Sequence, residues 1–443
     1  MKELLTRLCS LMAVSVVLCG PALAQVSWEQ ADQAAEHVFP QVVEWRRWFH
    51  QNPELSNREF QTAARITEIL QGMGLEPQTG IAHTGVVAII EGGKPGPLVA
   101  IRADIDGLPV TEETGLPFAS QAKGNYQGTE VGVMHACGHD AHMAMALGAA
   151  KVLNDFRDEL AGSVMLIFQP AEEGKPVGAD GEIERGGAKM MIEEGIFEEH
   201  KPEAVFGIHV GIVPQFGTIS VRPGPIMAAS DRWWLTVTGK QTHGARPWGG
   251  VDPIVLTSQI ILAYQTIASR QVDVTKAPSI ISVGRINGGV RNNVIPEQVE
   301  IEGTVRTFDV EMRDYILAAM ERTAQGIAAT VGATAEFTLA DDGNLPLIND
   351  YELTERMMPV LNRVTGDVPV ARVTPQTVAE DFSEFSMRVP SLYMFLGSLP
   401  EGTAPEQWAS NHSPNFDINE QDMQLGVRAF THMVLSYFQD DTD

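Results

Sequence analysis

Arg222-Pro223-Gly224-Pro225 divides the chain into two patterns, and the change across it decides the fold. Two prolines and a glycine within four residues make a stiff, turn-rich junction. From Asp231 onward the apolar spacing reads as strand 233–238, helix 252–270, strand 280–286, strand 299–308, helix 310–330 and strand 334–339. That β-α-β-β-α-β order is the split-βαβ, ferredoxin-like arrangement. Asp341-Asp342-Gly343-Asn344 closes it with turn residues. Upstream, helices at 28–51 and 59–72 are followed by strands 86–90 and 98–101, divided by the turn signal Gly92-Gly93-Lys94-Pro95-Gly96. Helix 141–157, strand 164–168, helix 188–194 and strand 204–208 come next. Strands alternating with helices predict an α/β sheet flanked by helices. From about residue 345 helix and strand return and complete the first unit. The expected fold is therefore α/β, a larger domain with a mixed sheet interrupted by an inserted ferredoxin-like domain. The expected boundaries are 25–226 and 342–443 for the larger domain and 227–341 for the insert.

The 443 residues suffice for two or three domains of roughly 150 residues each. With 44% hydrophobic and 20% charged residues, such a chain buries a core without staples. Its first residues differ. Lys2 and Arg7 precede the apolar run Leu8 to Leu18, and Gly20-Pro21-Ala22-Leu23-Ala24 follows. This is the layout of a secretory signal, residues 1–24, cleaved near Ala24. The run is too short to span a bilayer. The expectation is export, to a periplasm or outside the cell, with no stable membrane insertion. The net charge of −26 repels nucleic acid and anionic surfaces.

Cysteine counting narrows the chemistry. Cys9 and Cys19 leave with the signal, so Cys137 is the single thiol of the mature chain and has no disulfide partner. It is either a buried core residue or a thiolate held by metal. Its surroundings favour the second: His135-Ala136-Cys137-Gly138-His139-Asp140-Ala141-His142 places one thiol and two imidazoles, His139 and His142, within six residues. Phe168-Gln169-Pro170-Ala171-Glu172-Glu173-Gly174 ends an apolar strand on two carboxylates. Neighbours on a strand point to opposite faces, but proline and glycine imply irregular backbone that lets both face one site. One carboxylate can then bind metal while the other moves protons. His209 closes the strand Phe206-Gly207-Ile208, and His412 lies in the loop Ser410-Asn411-His412-Ser413-Pro414. Thr242-His243-Gly244 and Asn293-Val294-Ile295-Pro296 put a histidine and an amide in turns of the insert. Each of these is weak alone.

Together they form an ordered series: Arg102-Ala103-Asp104-Ile105-Asp106-Gly107-Leu108-Pro109, His135–His142, Gln169–Gly174, His209, Gly239–Pro247, Asn293–Pro296, Gly303-Thr304-Val305-Arg306, Glu380-Asp381-Phe382 and His412-Ser413-Pro414. The series resembles the aminoacylase and carboxypeptidase G family of dinuclear metallohydrolases, most of all its branch of hippurate and indole-acetyl-amino-acid hydrolases. It spans about residues 40–435. The resemblance implies two divalent metal ions per subunit, with Cys137 bridging them and His139, Glu173, His209 and His412 as the other ligands. It implies Glu172 as general base and His243 as a residue reaching across a homodimer to polarise the substrate carbonyl. Asn293 and Arg306 match positions near the substrate, and Asp106 a carboxylate that orients a histidine ligand. The insert is implied to be a lid and dimerisation domain, and a long strand such as 299–308 offers an edge for pairing. Thiolate and imidazole favour zinc, and carboxylates also accept manganese.

Two departures stand out. Val378 occupies a position where the family pattern has glycine, and the segment from Lys175 to Arg185 is longer than usual. The expected activity is hydrolysis of the amide of an N-acyl amino acid with an apolar or aromatic acyl group. The alternatives are a metallo-carboxypeptidase or dipeptidase acting on short peptides, a cysteine hydrolase using Cys137 with His139, and a binding protein with a retired site.

Overall fold

The computed structural model describes residues 26–177, 183–341 and 343–439. The predicted signal, residues 1–24, and the middle of the long segment after Lys175 lie outside the described residues.

The first helix, Trp28–Gln51, starts where the sequence supplies its own cap. The Ser27 side chain accepts the Gln30 N–H, and the Gln30 side chain accepts the Ser27 N–H in return. Its apolar stripe, Val38, Val42, Trp45 and Phe49, is buried. The main sheet has eight strands, in the order Gln78–Ile81, Gly85–Ile90, Ala161–Gln169, Lys94–Asp104, Ala204–Val210, Ser391–Gly397, Thr218–Val221 and Ala371–Arg372. Its four central strands, from 161–169 to 391–397, run parallel. They are buried on both faces, hence their unbroken apolar runs. The outer pairs add antiparallel neighbours, so the sheet is mixed, as expected.

The strands Gly85–Ile90 and Lys94–Asp104 are not neighbours, because strand Ala161–Gln169 lies between them. The glycines that divide them allow a close backbone approach. A Cβ on Gly92 would sit 1.9 Å from the Gly162 carbonyl oxygen.

A second, four-stranded sheet has the order Ser279–Gly288, Gln298–Thr307, Asp231–Thr238, Thr334–Leu339, antiparallel throughout. Helices Pro253–Thr266 and Val310–Ala329 join its strands in the expected β-α-β-β-α-β sequence. Along Asp231–Thr238 every second residue is buried. Trp233, Leu235 and Val237 pack with Ile260, Tyr264, Ile316 and Met320 in a core separate from that of the main sheet. Strand 298–307, expected to offer an edge, is internal, and the edges of this sheet are Ser279–Gly288 and Thr334–Leu339. The pairing order decides this: 298–307 is bonded on both sides, to 279–288 and to 231–238. Beyond the second sheet the chain returns to the main core. Leu353, Met357 and Phe430 pack in the same cluster as Val42 and Leu147. Among the described residues no helix is long and apolar enough to cross a membrane.

Parallel strands that end together leave a crevice beyond their carboxyl ends, the usual ligand position in open α/β sheets. Here Asp104, Gln169 and His209 close three adjacent parallel strands, with Asp104 opposite Gln169 in register.

Candidate metal centre

Helix His139–Asp155 begins in that crevice. The loop before it turns at Gly138, whose φ of +90° suits glycine. A Cβ there would lie 2.2 Å from Val210 Cγ2, so the loop presses against the end of strand 204–210. This closeness brings Cys137 beneath His209, with Sγ 3.4 Å from His209 Nε2. The C-terminal loop closes from the other side. His412 adopts φ +67°, its N–H bonds the Ala136 carbonyl at 2.8 Å, and its Nε2 lies 3.3 Å from Cys137 Sγ. Asn411 Nδ2 ties the loop down through the carbonyls of Cys137 and Val210.

The imidazoles are oriented from behind. His139 Nδ1 donates to the Asp106 carbonyl at 2.8 Å and lies 3.3 Å from the Asp106 carboxylate. His209 Nδ1 donates to the Val210 carbonyl at 2.9 Å. Each therefore turns Nε2 inward, the arrangement a metal-ligating histidine needs. His139 Nε2 is buried without a hydrogen-bond partner. Such a nitrogen costs about 1–3 kcal/mol unless something else pairs it. His142, grouped with Cys137 and His139 on spacing, is spent elsewhere. Val210 N–H donates to its Nε2 at 2.8 Å, so its Nδ1 carries the proton toward Asp104 Oδ1 at 2.6 Å.

How two consecutive glutamates face one cleft is answered at Ala171. It takes φ +53°, a left-handed conformation that costs a non-glycine residue about 1–3 kcal/mol. Past this turn, Glu172 Oε2 and Glu173 Oε1 lie 3.9 and 3.7 Å from His139 Nε2, and Glu173 Oε1 is 3.3 Å from His412 Nε2.

The donors thus gather into two groups that share the Cys137 sulfur: Cys137, His139 and His209, and Cys137, Glu173 and His412. Ligand atoms within each group are within 4.8 Å of one another. Thiol, imidazole and carboxylate are ligands of zinc-like and other divalent ions, and the inward His139 Nε2 has no hydrogen-bond partner, so the residues fit metal ions. Electrostatics agrees. Burial, then Glu173 and Glu172, pushes the Cys137 thiol well above its usual range. Burial and the charges of Glu380, Glu173 and Asp381 push the Glu172 carboxyl well up. A divalent cation among these donors removes that repulsion and deprotonates a coordinating thiol.

The cleft holds about 380 Å³. Cys137, Glu172, Glu173, His209 and His412 line its floor, and Ile212, Met227, Val378 and Trp408 form an apolar wall with Asn344 and Gln376 beside it. His243, Asn293 and Arg306 do not line it. His243 is exposed on a two-stranded ribbon beside Asn293, whose carbonyl accepts the Gly244 N–H. Arg306 is half-buried, held by Thr304 Oγ1 and the Val305 carbonyl.

One element escaped the sequence reading. Arg102 is 1% exposed and donates to Gln169 Oε1 (2.8 Å), Asp104 Oδ2 (2.6 Å), Glu380 Oε1 (2.9 Å) and Asp381 Oδ1 (3.1 Å). It joins the ends of two parallel strands to the C-terminal segment and anchors Asp104, which holds His142. The motif around Arg102 was visible, but its partners lie as far as 279 positions away.

Residues 100–436 match the model of Peptidase family M20/M25/M40. The chain is 38% identical over 410 residues to Thermostable carboxypeptidase 2 of Saccharolobus solfataricus, covering 92% of this chain and 98% of that one. It is 40% identical over 321 residues to the N-acyl-L-amino acid amidohydrolase of Geobacillus stearothermophilus, covering 72% and 81%. Among solved structures it resembles the YXEP protein of Bacillus subtilis, described as a dinuclear metal binding peptidase. The TM-score is 0.72 at 33% identity, covering 90% of this chain and 98% of that one.

Proposed function

The chain belongs to Peptidase family M20/M25/M40 and is a hydrolytic enzyme, and from that premise we propose that it cleaves the amide bond of N-acyl amino acids. Cys137, His139 and His209 would hold one divalent ion and Cys137, Glu173 and His412 a second, the thiolate favouring zinc and the carboxylates also accepting manganese. When bound, such ions supply Lewis acidity toward the amide oxygen and acidify water. The observation that carries the reading is Glu172: its carboxylate lies with His139 and Glu173, ligand atoms within 4.8 Å of one another, yet outside the two groups that share Cys137. Its raised affinity for a proton suits a general base. Glu172 takes the proton of the attacking water and delivers it to the leaving nitrogen. Glu173 does not share this task, since its Oε1, 3.3 Å from His412 Nε2, lies in a group that shares the Cys137 sulfur and would bind metal. The apolar wall of Ile212, Met227, Val378 and Trp408 supports an apolar or aromatic acyl group.

Names of similar proteins support the same class: an N-acyl-L-amino acid amidohydrolase, an N-acetyl-L-cysteine deacetylase and an IAA-amino acid hydrolase are among them. A panel of N-acetyl and N-benzoyl amino acids against unblocked dipeptides tests it. The acylated set is expected to be hydrolysed at least ~10-fold faster in kcat/KM, a difference of about 1.4 kcal/mol in transition-state binding. The reverse order makes the enzyme a peptidase. Dialysis against a chelator should abolish activity and added Zn²⁺ or Mn²⁺ restore it; activity that survives chelation points to Cys137 as a nucleophile.

The unit from 227 to 341 is proposed as lid and dimerisation domain. Leu262, Val255 and Ile254 are 70, 52 and 45% exposed on helix Pro253–Thr266, beside the open edge strand Ser279–Gly288 with Ile286 at 59%. An exposed apolar face next to an unpaired strand supports a second copy pairing there. In that dimer His243 of the partner subunit donates to the substrate carbonyl oxygen, and Asn293 and Arg306 meet the substrate carboxylate. Light scattering should give twice the monomer mass for the wild type and a monomer for Leu262→Glu with Ile286→Lys. A monomeric wild type with full activity removes His243 from this role. Cleavage near Ala24 and export complete the proposal.

A further inference from the structure

Glu59 is fully buried, yet it belongs to none of the donor groups. It is the residue before helix Phe60–Gly72 and makes no side-chain cap for it. Its two oxygens reach elsewhere: Thr84 Oγ1 donates to Oε2 at 2.6 Å, and the Ala171 backbone N–H donates to Oε1 at 2.9 Å. Two residues on, the Glu173 N–H donates to Asp106 Oδ2 at 3.0 Å, an oxygen also bonded by Ser56 Oγ at 2.7 Å. The turn that carries Glu172 and Glu173 is therefore pinned at both ends by buried carboxylates. Ala171 between those pins is itself buried and has positive φ without being glycine. Nothing in the local sequence favours that conformation, so the bond to Glu59 supplies what alanine lacks. Burying a carboxylate is costly, and burial with the nearby Asp106 charge pushes Glu59 up to about 8.

We propose that Glu59 is a positioning residue of the carboxylate pair: by accepting the Ala171 N–H it holds the left-handed turn that brings Glu172 and Glu173 to the same side of the cleft. The proposal rests on the reading of Glu172 as general base and Glu173 as metal ligand. A packing role alone predicts loss of stability. A positioning role predicts loss of kcat and of metal affinity, with KM little changed.

The test uses the full chain and the fastest N-acyl amino acid of the panel. Glu59→Ala should lower kcat by about 10–100-fold, with KM within about 3-fold, the scale seen when an outer support of a metal site is removed. Zn²⁺ affinity, measured by equilibrium dialysis of metal-stripped protein without substrate, should fall by a similar factor. Glu59→Gln keeps an acceptor for the Ala171 N–H and should recover most of both losses. Ala171→Gly in the Glu59→Ala background should recover at least about 5-fold of kcat, because glycine takes positive φ freely. The melting temperature should stay at the single-variant value. If Glu59→Ala does not fold, Thr84→Val carries the test: it removes one partner of Glu59 and should give the same kcat-selective loss at about 3–10-fold. Wild-type kcat and Zn²⁺ affinity in Glu59→Ala, absence of loss in Thr84→Val, or absence of recovery with Ala171→Gly overturns the proposal. Glu172→Gln, run alongside, separates the two readings. If it is inactive while Glu59→Ala is unaffected, only the role of Glu59 falls; if it is fully active, the assignment of the base falls.

Discussion

Glu172→Gln is expected to lower kcat by about 10²–10⁴-fold, the range a positioned general base contributes, while both metal ions remain bound. The side chain keeps its size and still reaches the cleft, but an amide cannot accept the proton of the attacking water. Glu172 Oε2 lies 3.9 Å from His139 Nε2 without joining either group around Cys137, so the substitution should leave metal stoichiometry intact. Because the bound ions already offset the charges of Glu380, Glu173 and Asp381 around this side chain, the melting temperature of the metal-loaded variant is expected to stay near the wild-type value while activity falls. Metal analysis, thermal melting and steady-state kinetics on one preparation check all three. Loss of metal together with activity would instead make Glu172 a ligand.

The second large effect belongs to Cys137. Its sulfur is the atom shared by the two donor groups, 3.4 Å from His209 Nε2 and 3.3 Å from His412 Nε2. Cys137→Ser replaces a polarisable thiolate with a hydroxyl of far higher pKa, and does so for both groups at once. Metal content is expected to fall from two ions to less than one per chain after dialysis. Affinity should fall by more than the ~10–100-fold cost of losing an outer partner. Activity should follow metal content, with partial return at high added Mn²⁺, which accepts oxygen ligands more readily. Normal occupancy in this variant would remove the sulfur from both groups. The overall fold should persist, because the loop is also held by the Asn411 side-chain amide on the Cys137 carbonyl and the His412 N–H on the Ala136 carbonyl.

These residues were legible in the sequence to different depths. Cys137 and His139 stand two apart on one loop, so their convergence is a local matter that spacing reveals. The Glu pair and His209 were visible as polar residues closing apolar strands, and a parallel sheet brings such ends together. The ferredoxin-like order of the second sheet could be read because each of its strands and helices has its own periodicity. What spacing did not reveal is pairing at a distance. His142 has the same spacing signature as His139, but Asp104 and the Val210 N–H claim both its nitrogens. Strand 298–307 looks like an edge from its length, and only the pairing order places it inside. The left-handed Ala171 leaves no mark in Pro170-Ala171-Glu172, where glycine would have announced it. Arg102 is a charge near the end of an apolar strand; Asp104 is close by, but the rest of its meaning lies in Glu380 and Asp381, which no local window contains. His243, Asn293 and Arg306 rest on resemblance, and within one protomer they stand away from the cleft.

The span of these pairings has a consequence for how the enzyme matures. Cys137 and His412 are 275 positions apart, and Arg102 and Glu380 are 278 apart. Between them the chain must complete an independent sheet with its own core. Contacts of such high sequence separation form late, because their loop-closure entropy must be met before they stabilise anything. During synthesis the early half therefore presents Cys137, His139 and His209 as an incomplete chelate, and the second group exists only after the C-terminal loop has docked. The second group of donors is therefore the mark of a finished fold, since it exists only when the last part of the chain has found its place.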